Sequence, residues 1–374
     1  MSIDNMNKNI LFILHLPPPV HGAAMVGKYI QESNLINSNF NGDYINLSTS
    51  NSLEDIGKGG GAKLVSLLKL QYKVLRALLE KKYHLCYVTL TAQGNGFYKD
   101  VLVIAILKIF RKKIVYHFHN KGVAKSQESW INDLLYRFVF KGTKSILLSQ
   151  HLYPDVQKYV KKEDAYFCPN GIPLSAGMLK EQPIVKDPRR PFNILFLSNM
   201  MEEKGVWTLL EACKHLLEKG LSFECHFIGA WSDIQEQEFA EKISLSNLSN
   251  IVFAHGKKYN DEKNSFFERA DVFVFPTYYH NEAFSLVLLE AMQFSLPVIS
   301  TNEGGIPDIV HPSTGFLVPK KDPTALAEKI QWLMEHPEER LQMGFSGKNR
   351  FKENFTISIF EENINRILTT AYKK

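Results

Sequence analysis

Short apolar runs, rich in β-branched and aromatic residues, recur along the chain. Each closes in a polar loop, and most lead into a stretch with helical spacing. On this pattern residues 10–14, 114–120, 145–149, 193–197, 223–229, 251–256, 272–275 and 297–300 read as strands. Residues 62–82, 284–294, 323–336, 338–351 and 355–372 read as helices. Residues 284–294 are mostly Leu, Val, Glu, Ala and Met, residues a helix interior accepts at little cost. Strands alternating with helices in both halves predict an α/β chain with two doubly wound, Rossmann-like sheets. A chain of 374 residues exceeds one ordinary core. The polar, proline-rich segment KEQPIVKDPRRP at 180–191 makes a plausible hinge. The expected domains are 1–182 and 183–354.

Candidate chemistry concentrates in residues 270–310. A buried strand stopped by Pro276 gives way to a polar loop carrying Glu282. A helix follows from Phe284, then a second strand and the Gly304-Gly305 turn. The first N–H groups of a helix have no internal partner and its dipole favours anions, so a diphosphate can dock there without a lysine. Ser285 is small enough to let an anion reach the backbone. Glu282 lies before the helix and Glu290 inside it. From Ser285 to Glu290 the helix rises about 7.5 Å, roughly the separation of a diphosphate from its ribose hydroxyls. A carboxylate accepts two hydrogen bonds from a vicinal diol, which suits a sugar nucleotide.

The segment EAFSLVLLE at 282–290, followed by Ala291 and Met292, resembles the E-x7-E motif of the family 4 glycosyltransferases, retaining enzymes with the GT-B fold. PVI at 297–299 and GGIPD at 304–308 match the same family in order and spacing. The resemblance implies two Rossmann-like domains facing across a cleft. The amino-terminal one takes the acceptor, the other takes the nucleotide sugar, and the last helix (355–374) crosses back onto the first. It implies donor contacts at Asn199, Lys204, Gly256, Phe284, Ser285, Leu286 and Glu290. Lys204 stands at the phosphate lysine and the Gly256 loop where the base is seated. Glu290 would hold the ribose, while Glu282 would orient the sugar and face its positive anomeric carbon. His21, Gly22 and Ala23 fall in the loop that borders the acceptor and the transferred group, with Ala24 continuing the close approach. His119 matches the family's cleft histidine. His117, two residues away and on the same side of a strand, reads as packed or hydrogen-bonded. Ser198 and Asn199 stand where the family usually has Gly-Arg, so an uncharged donor replaces a cation.

Composition changes little. Apolar and charged residues make up 45% and 22%, as in globular proteins generally. No apolar run reaches the ~18–20 residues of a membrane span. Residues 9–16 lack the basic n-region and cleavage site of a signal peptide, so cytoplasmic residence is expected. Cys86, Cys168, Cys213 and Cys225 have no metal-ligand spacing and read as reduced, mostly buried thiols. There is no D-x-D triplet to serve Mg²⁺ or Mn²⁺, and neither metal nor cofactor is expected. GGGAK at 59–63 lacks the Ser or Thr and the preceding strand of a phosphate loop.

Charge does change the picture. The formal +5 divides into +12 over residues 1–190 and −7 over 191–374. Within 62–82, Leu64, Leu67, Leu68, Leu75, Leu78 and Leu79 share a face, flanked by Lys69, Lys73 and Arg76. The plain reading packs that leucine face into the core. The sharper one sets the helix against anionic lipid, and Lys108, Arg111, Lys112 and Lys113 add to it.

The expected activity is transfer of a sugar from a nucleotide-diphosphate sugar, a UDP-sugar by preference, to a hydroxyl of a glycan or lipid-linked acceptor in polysaccharide biosynthesis. Peripheral contact with an anionic membrane is expected, and nucleic acid is not. Two other readings stand beside it: a sugar-nucleotide epimerase of the same architecture, and a nucleotide- or glycan-binding protein without turnover, to which Asn199 points.

Overall fold

The computed structural model describes residues 8–19, 21–48, 61–175 and 190–373, the side chains of 61–64 excepted. The hinge expected at 180–191, apart from its last two residues, and the glycines at 59 and 60 lie outside the described residues. The chain divides into two compact units, Met1–Gly171 with Ile357–Lys374, and Ile172–Thr356.

In the first unit β1 (Asn9–Leu14), β2 (Asn41–Asn46), β3 (Leu85–Leu90), β4 (Lys113–Phe118), β5 (Lys144–Leu147) and β6 (Ala165–Phe167) form a sheet in the order β2-β1-β3-β4-β5-β6. Every pairing is parallel. The central strands are mostly apolar because helices cover both faces; Ile10, Leu11, Phe12, Ile13 and Leu14 are wholly buried. Helix Ile357–Lys373 sends Phe360, Ile364, Ile367, Leu368 and Ala371, at helical spacing, into the core that holds Ile10, Phe12, Val26 and Ile36. Right-handed crossovers put helices Gly61–Glu80, Gly94–Ile109 and Trp130–Phe140 on the opposite face.

Helix Gly61–Glu80 departs from the leucine face read in the sequence. Its core positions are Leu70, Val74 and Leu78, whereas Leu68, Leu75 and Leu79 are 61%, 38% and 70% exposed. Leu70 and Val74 widen the apolar surface beyond a single face, and the sheet takes the side that contains them.

In the second unit β7 (Phe192–Leu197), β8 (Phe223–Ile228), β9 (Val252–Ala254), β10 (Val272–Phe275), β11 (Val298–Thr301) and β12 (Gly315–Val318) form a second parallel sheet, ordered β12-β11-β10-β7-β8-β9. Strand order reverses between β7 and β10, and in open α/β sheets ligands bind beyond the carboxyl ends of the strands at that reversal. The helix expected from 284 begins at Leu286, because Ser285 is still extended (φ −86°, ψ 100°). The domain change expected at 182/183 comes earlier. Ile172 N–H donates to the Phe355 carbonyl (3.0 Å), and Gln293 binds the Pro173 carbonyl (3.0 Å) and the Ser175 N–H (2.6 Å). These bonds hold 172–175 on the second unit.

Candidate functional site

At the reversal of the second sheet, the loops after β7 and β10 are tied together. Gly205 closes the turn Glu202–Lys204 at φ +85°, and a Cβ there would lie 2.3 Å from the Pro276 carbonyl oxygen. Glycine alone lets the loops pass so closely. Tyr278 N–H donates to the Glu203 carbonyl (2.8 Å), and the Thr277 hydroxyl donates to the same oxygen (3.2 Å). The turn after β11 closes from the other side. Gly305 N–H donates to the Ala283 carbonyl (2.8 Å), and the Thr301 hydroxyl donates to the Thr277 carbonyl. Gly304, at φ +53°, would set a Cβ 2.1 Å from the Glu282 carbonyl oxygen. The Glu282 backbone is thus fixed by its neighbours on both sides.

Lys204 reaches across this junction. Its Nζ donates to Glu282 Oε2 at 2.6 Å and stands 4.3 Å from the centre of the Tyr279 ring. Both side chains are mostly buried, where a carboxylate needs such a partner. Two further pairs are built alike: Lys263 Nζ with Glu290 Oε2 at 2.9 Å, and Lys320 Nζ with Glu303 Oε2 at 2.5 Å. Each offers a cation for an anion and an acceptor for a hydroxyl. Ser285, the residue before the helix, is 4% exposed, and its Oγ has no hydrogen-bond partner among the described residues. A buried hydroxyl left over at a helix start calls for an explanation, and a bound anion is the simplest one.

In the first unit the reversal lies between β1 and β3. His21 caps helix Gly22–Glu32 by accepting from Ala24 N–H (3.3 Å), and its ring lies 5.6 Å from that of His15. His117 is buried and bonded to the Tyr87 hydroxyl. The His119 ring is 4.2 Å from it, and His119 Nδ1 is buried with no hydrogen-bond partner among the described residues. Burial, helped by His21, pushes His119 down to about 3. Burial first, then Lys99 and the neighbouring imidazoles, takes His15 well below its ordinary value, and burial lowers His21. These rings are neutral at physiological pH. They can exchange hydrogen bonds with hydroxyl groups but supply no cation.

Of the residues singled out from sequence, Lys204, Glu282 and Ser285 meet at one junction, with buried Phe284 beside them. Leu286 and Glu290 are on the partly exposed side of the helix, and Asn199 is exposed after β7. Gly256, at φ +64°, follows β9 and accepts from Gly229 N–H (3.0 Å). His21, Gly22, Ala23 and His119 belong to the first unit. Gly22 is exposed and Ala23 partly so, but Ala24 is in the core, where it cannot border a ligand. Sequence reasoning missed Tyr279, Lys263, Glu303 and Lys320. Glu303 had a signal, a carboxylate directly before a glycine turn. Lys263 and Lys320 had none, being 27 and 17 residues from their partners.

Residues 180–350 match the family described as "Glycosyl transferases group 1". Over 184 residues the chain is 31% identical to the capsular polysaccharide biosynthesis glycosyltransferase CapM of Staphylococcus aureus, covering 49% of this chain and 47% of that protein. Over 153 residues it is 33% identical to the putative colanic acid biosynthesis glycosyltransferase WcaL of Escherichia coli (strain K12), covering 39% of this chain and 37% of that protein. The chain thus spans half or less of the length of these curated relatives. Among solved structures, Anabaena Alr3699/HepE in complex with UDP superposes with a TM-score of 0.74 at 17% identity, covering 97% of this chain and all of that one.

Proposed function

Since residues 180–350 match the glycosyl transferases group 1, and the two parallel six-stranded sheets match those of GT-B structures, we propose that the chain is a retaining glycosyltransferase working without a bound metal. It moves a sugar from a nucleotide-diphosphate sugar, UDP-linked, to a hydroxyl of a glycan or lipid-linked acceptor in polysaccharide biosynthesis. The work is done at the inner face of a membrane. The observation that carries this reading is the Lys204–Glu282 pair at 2.6 Å, set where strand order reverses and next to the helix that starts at Leu286. The printed names of the curated relatives support a glycan acceptor. The UDP in the Anabaena structure supports the nucleotide.

As the glycosidic bond breaks, negative charge grows on the leaving diphosphate and positive charge on the anomeric carbon. Lys204, Asn199, the N–H groups at Leu286 and the free hydroxyl of Ser285 answer the first. The Glu282 carboxylate faces the second and orients the sugar. The acceptor oxygen bonds to the anomeric carbon on the face the diphosphate leaves. Its proton passes to a diphosphate oxygen, so no protein base is required. Glu290 takes the ribose hydroxyls.

The test combines UDP binding with turnover. UDP should raise the melting temperature of the wild type. Lys204→Ala should weaken UDP binding by roughly 10- to 100-fold, which is about 1.4–2.8 kcal/mol. Glu282→Gln should keep UDP affinity and lose transfer. UDP binding untouched by Lys204→Ala, together with full transfer by Glu282→Gln, would sink the assignment. A donor altered without any acceptor would mark an epimerase instead.

A further inference from the structure

The first unit leaves large apolar side chains in water on one side. Helix Gly61–Glu80 exposes Val65, Leu68, Tyr72, Leu75 and Leu79. At 3.6 residues per turn these five form one strip, and the exposed Lys69, Lys73 and Arg76 form the strip beside it. Helix Gly94–Ile109 adds Tyr98, Leu102 and Ile109, the last 77% exposed. Helix Trp130–Phe140 adds Trp130, at 75%, with Ile131, Leu134 and Phe138. These helices are neighbours. The first packs on the second, Tyr98 Oη donates to Asn132 Oδ1 (2.8 Å), and Lys108 Nζ donates to the Lys141 carbonyl (2.7 Å). Scattered apolar residues on a surface need no explanation, but a contiguous face rimmed by polar groups does.

Charge says what covers it. The three helices carry three acids in their sequences. Asp100 is buried, Glu80 is bound by Arg76 Nε (2.6 Å), and Asp133 by Arg137 Nε (2.8 Å). Bases are in excess: beyond Lys69 and Lys73, exposed Arg111 and Lys113 follow the second helix and Lys141 follows the third. Among the described residues no helix is long and apolar enough to cross a membrane. An apolar strip flanked by lysine and arginine is the form of a helix lying in the lipid interface, with its hydrocarbon side chains among the acyl chains and its bases at anionic headgroups.

We propose that these three helices form a docking face for an anionic lipid bilayer. The inference names the surface by which the proposed enzyme would reach its membrane, but it does not need the transfer reading: lipid binding is measured without donor or acceptor. The full chain is sedimented with vesicles of phosphatidylcholine alone or mixed with phosphatidylglycerol, at low and high salt. Binding should need the anionic lipid and fall as salt screens it. The combined variant Leu68→Glu, Leu75→Glu, Leu79→Glu alters only exposed positions and should lower partitioning more than about tenfold. The control Leu341→Glu, Phe345→Glu, on the second unit, should leave it unchanged. Trp130 emission should shift to the blue on binding, and the shift should vanish in Trp130→Phe. Failure to bind anionic vesicles overturns the proposal, as does full binding by the triple variant. A self-associated chain in which the triple variant frees monomers, without vesicle binding, assigns the face to a second copy and overturns it as well.

Discussion

The Gly304 contact permits a controlled measurement of how tightly the Glu282 loop is held. Gly304 and Gly220 both adopt left-handed conformations, φ +53° and +73°. A Cβ on Gly220 would meet nothing within 4 Å, whereas one on Gly304 would lie 2.1 Å from the Glu282 carbonyl oxygen. Gly220→Ala should therefore cost only the left-handed conformation, about 1 kcal/mol. Gly304→Ala carries the same term and must also push a backbone oxygen away by roughly 1 Å, for a total of about 2–4 kcal/mol. At ~2–4 °C per kcal/mol for a unit of this size, the second variant should melt about 5–15 °C lower and the first only about 2–4 °C lower. Function should separate further. Displacing Glu282 by this much should reduce kcat/KM on the order of 100-fold, while Gly220→Ala stays near wild type. Differential scanning fluorimetry and an initial-rate assay read both effects. Equal melting temperatures for the two variants would show that the Glu282 loop yields freely. A destabilised Gly304→Ala with unchanged turnover would show that the position of Glu282 does not matter to the reaction.

Lys263→Met removes the partner of Glu290 Oε2, so UDP affinity should fall by roughly 3- to 10-fold, or about 0.7–1.4 kcal/mol, with kcat little changed; equal dissociation constants by calorimetry would refute a ribose role for Glu290. His119 has a folded value of about 3 against an ordinary 6.5. Its stabilising effect is complete above pH ~6.5 and is lost as pH falls toward 3, because the unfolded chain takes the proton first. By pH 5 that loss is at most about 2 kcal/mol, so urea unfolding of His119→Gln should show a shallower decline between pH 7 and 5; an identical decline would mean that His119 is not held neutral.

Eight of the twelve strands among the described residues were legible, because parallel strands buried on both faces are written as apolar runs, as at β1, β7, β10 and β11; β2, β3, β6 and β12 went unread. The Lys204–Glu282 junction was legible in its parts, since each lies beside a strand end. Their contact across 78 residues was not, because it depends on strand order, and nothing local in a sequence encodes which strand neighbours which. Helix Gly61–Glu80 fails in a more instructive way. Spacing at three and four residues reports that a helix has an apolar side, but it does not report which medium that side meets. Leu68, Leu75 and Leu79 obey the same rule as Leu70, Val74 and Leu78, and only the second set reaches the sheet. A helix with apolar residues in excess of what one sheet can cover has been given them for a second contact. The net +12 of residues 1–190 is not needed to say so: Lys69 and Lys73, lying along that surplus strip, already give the sign of the surface it would meet.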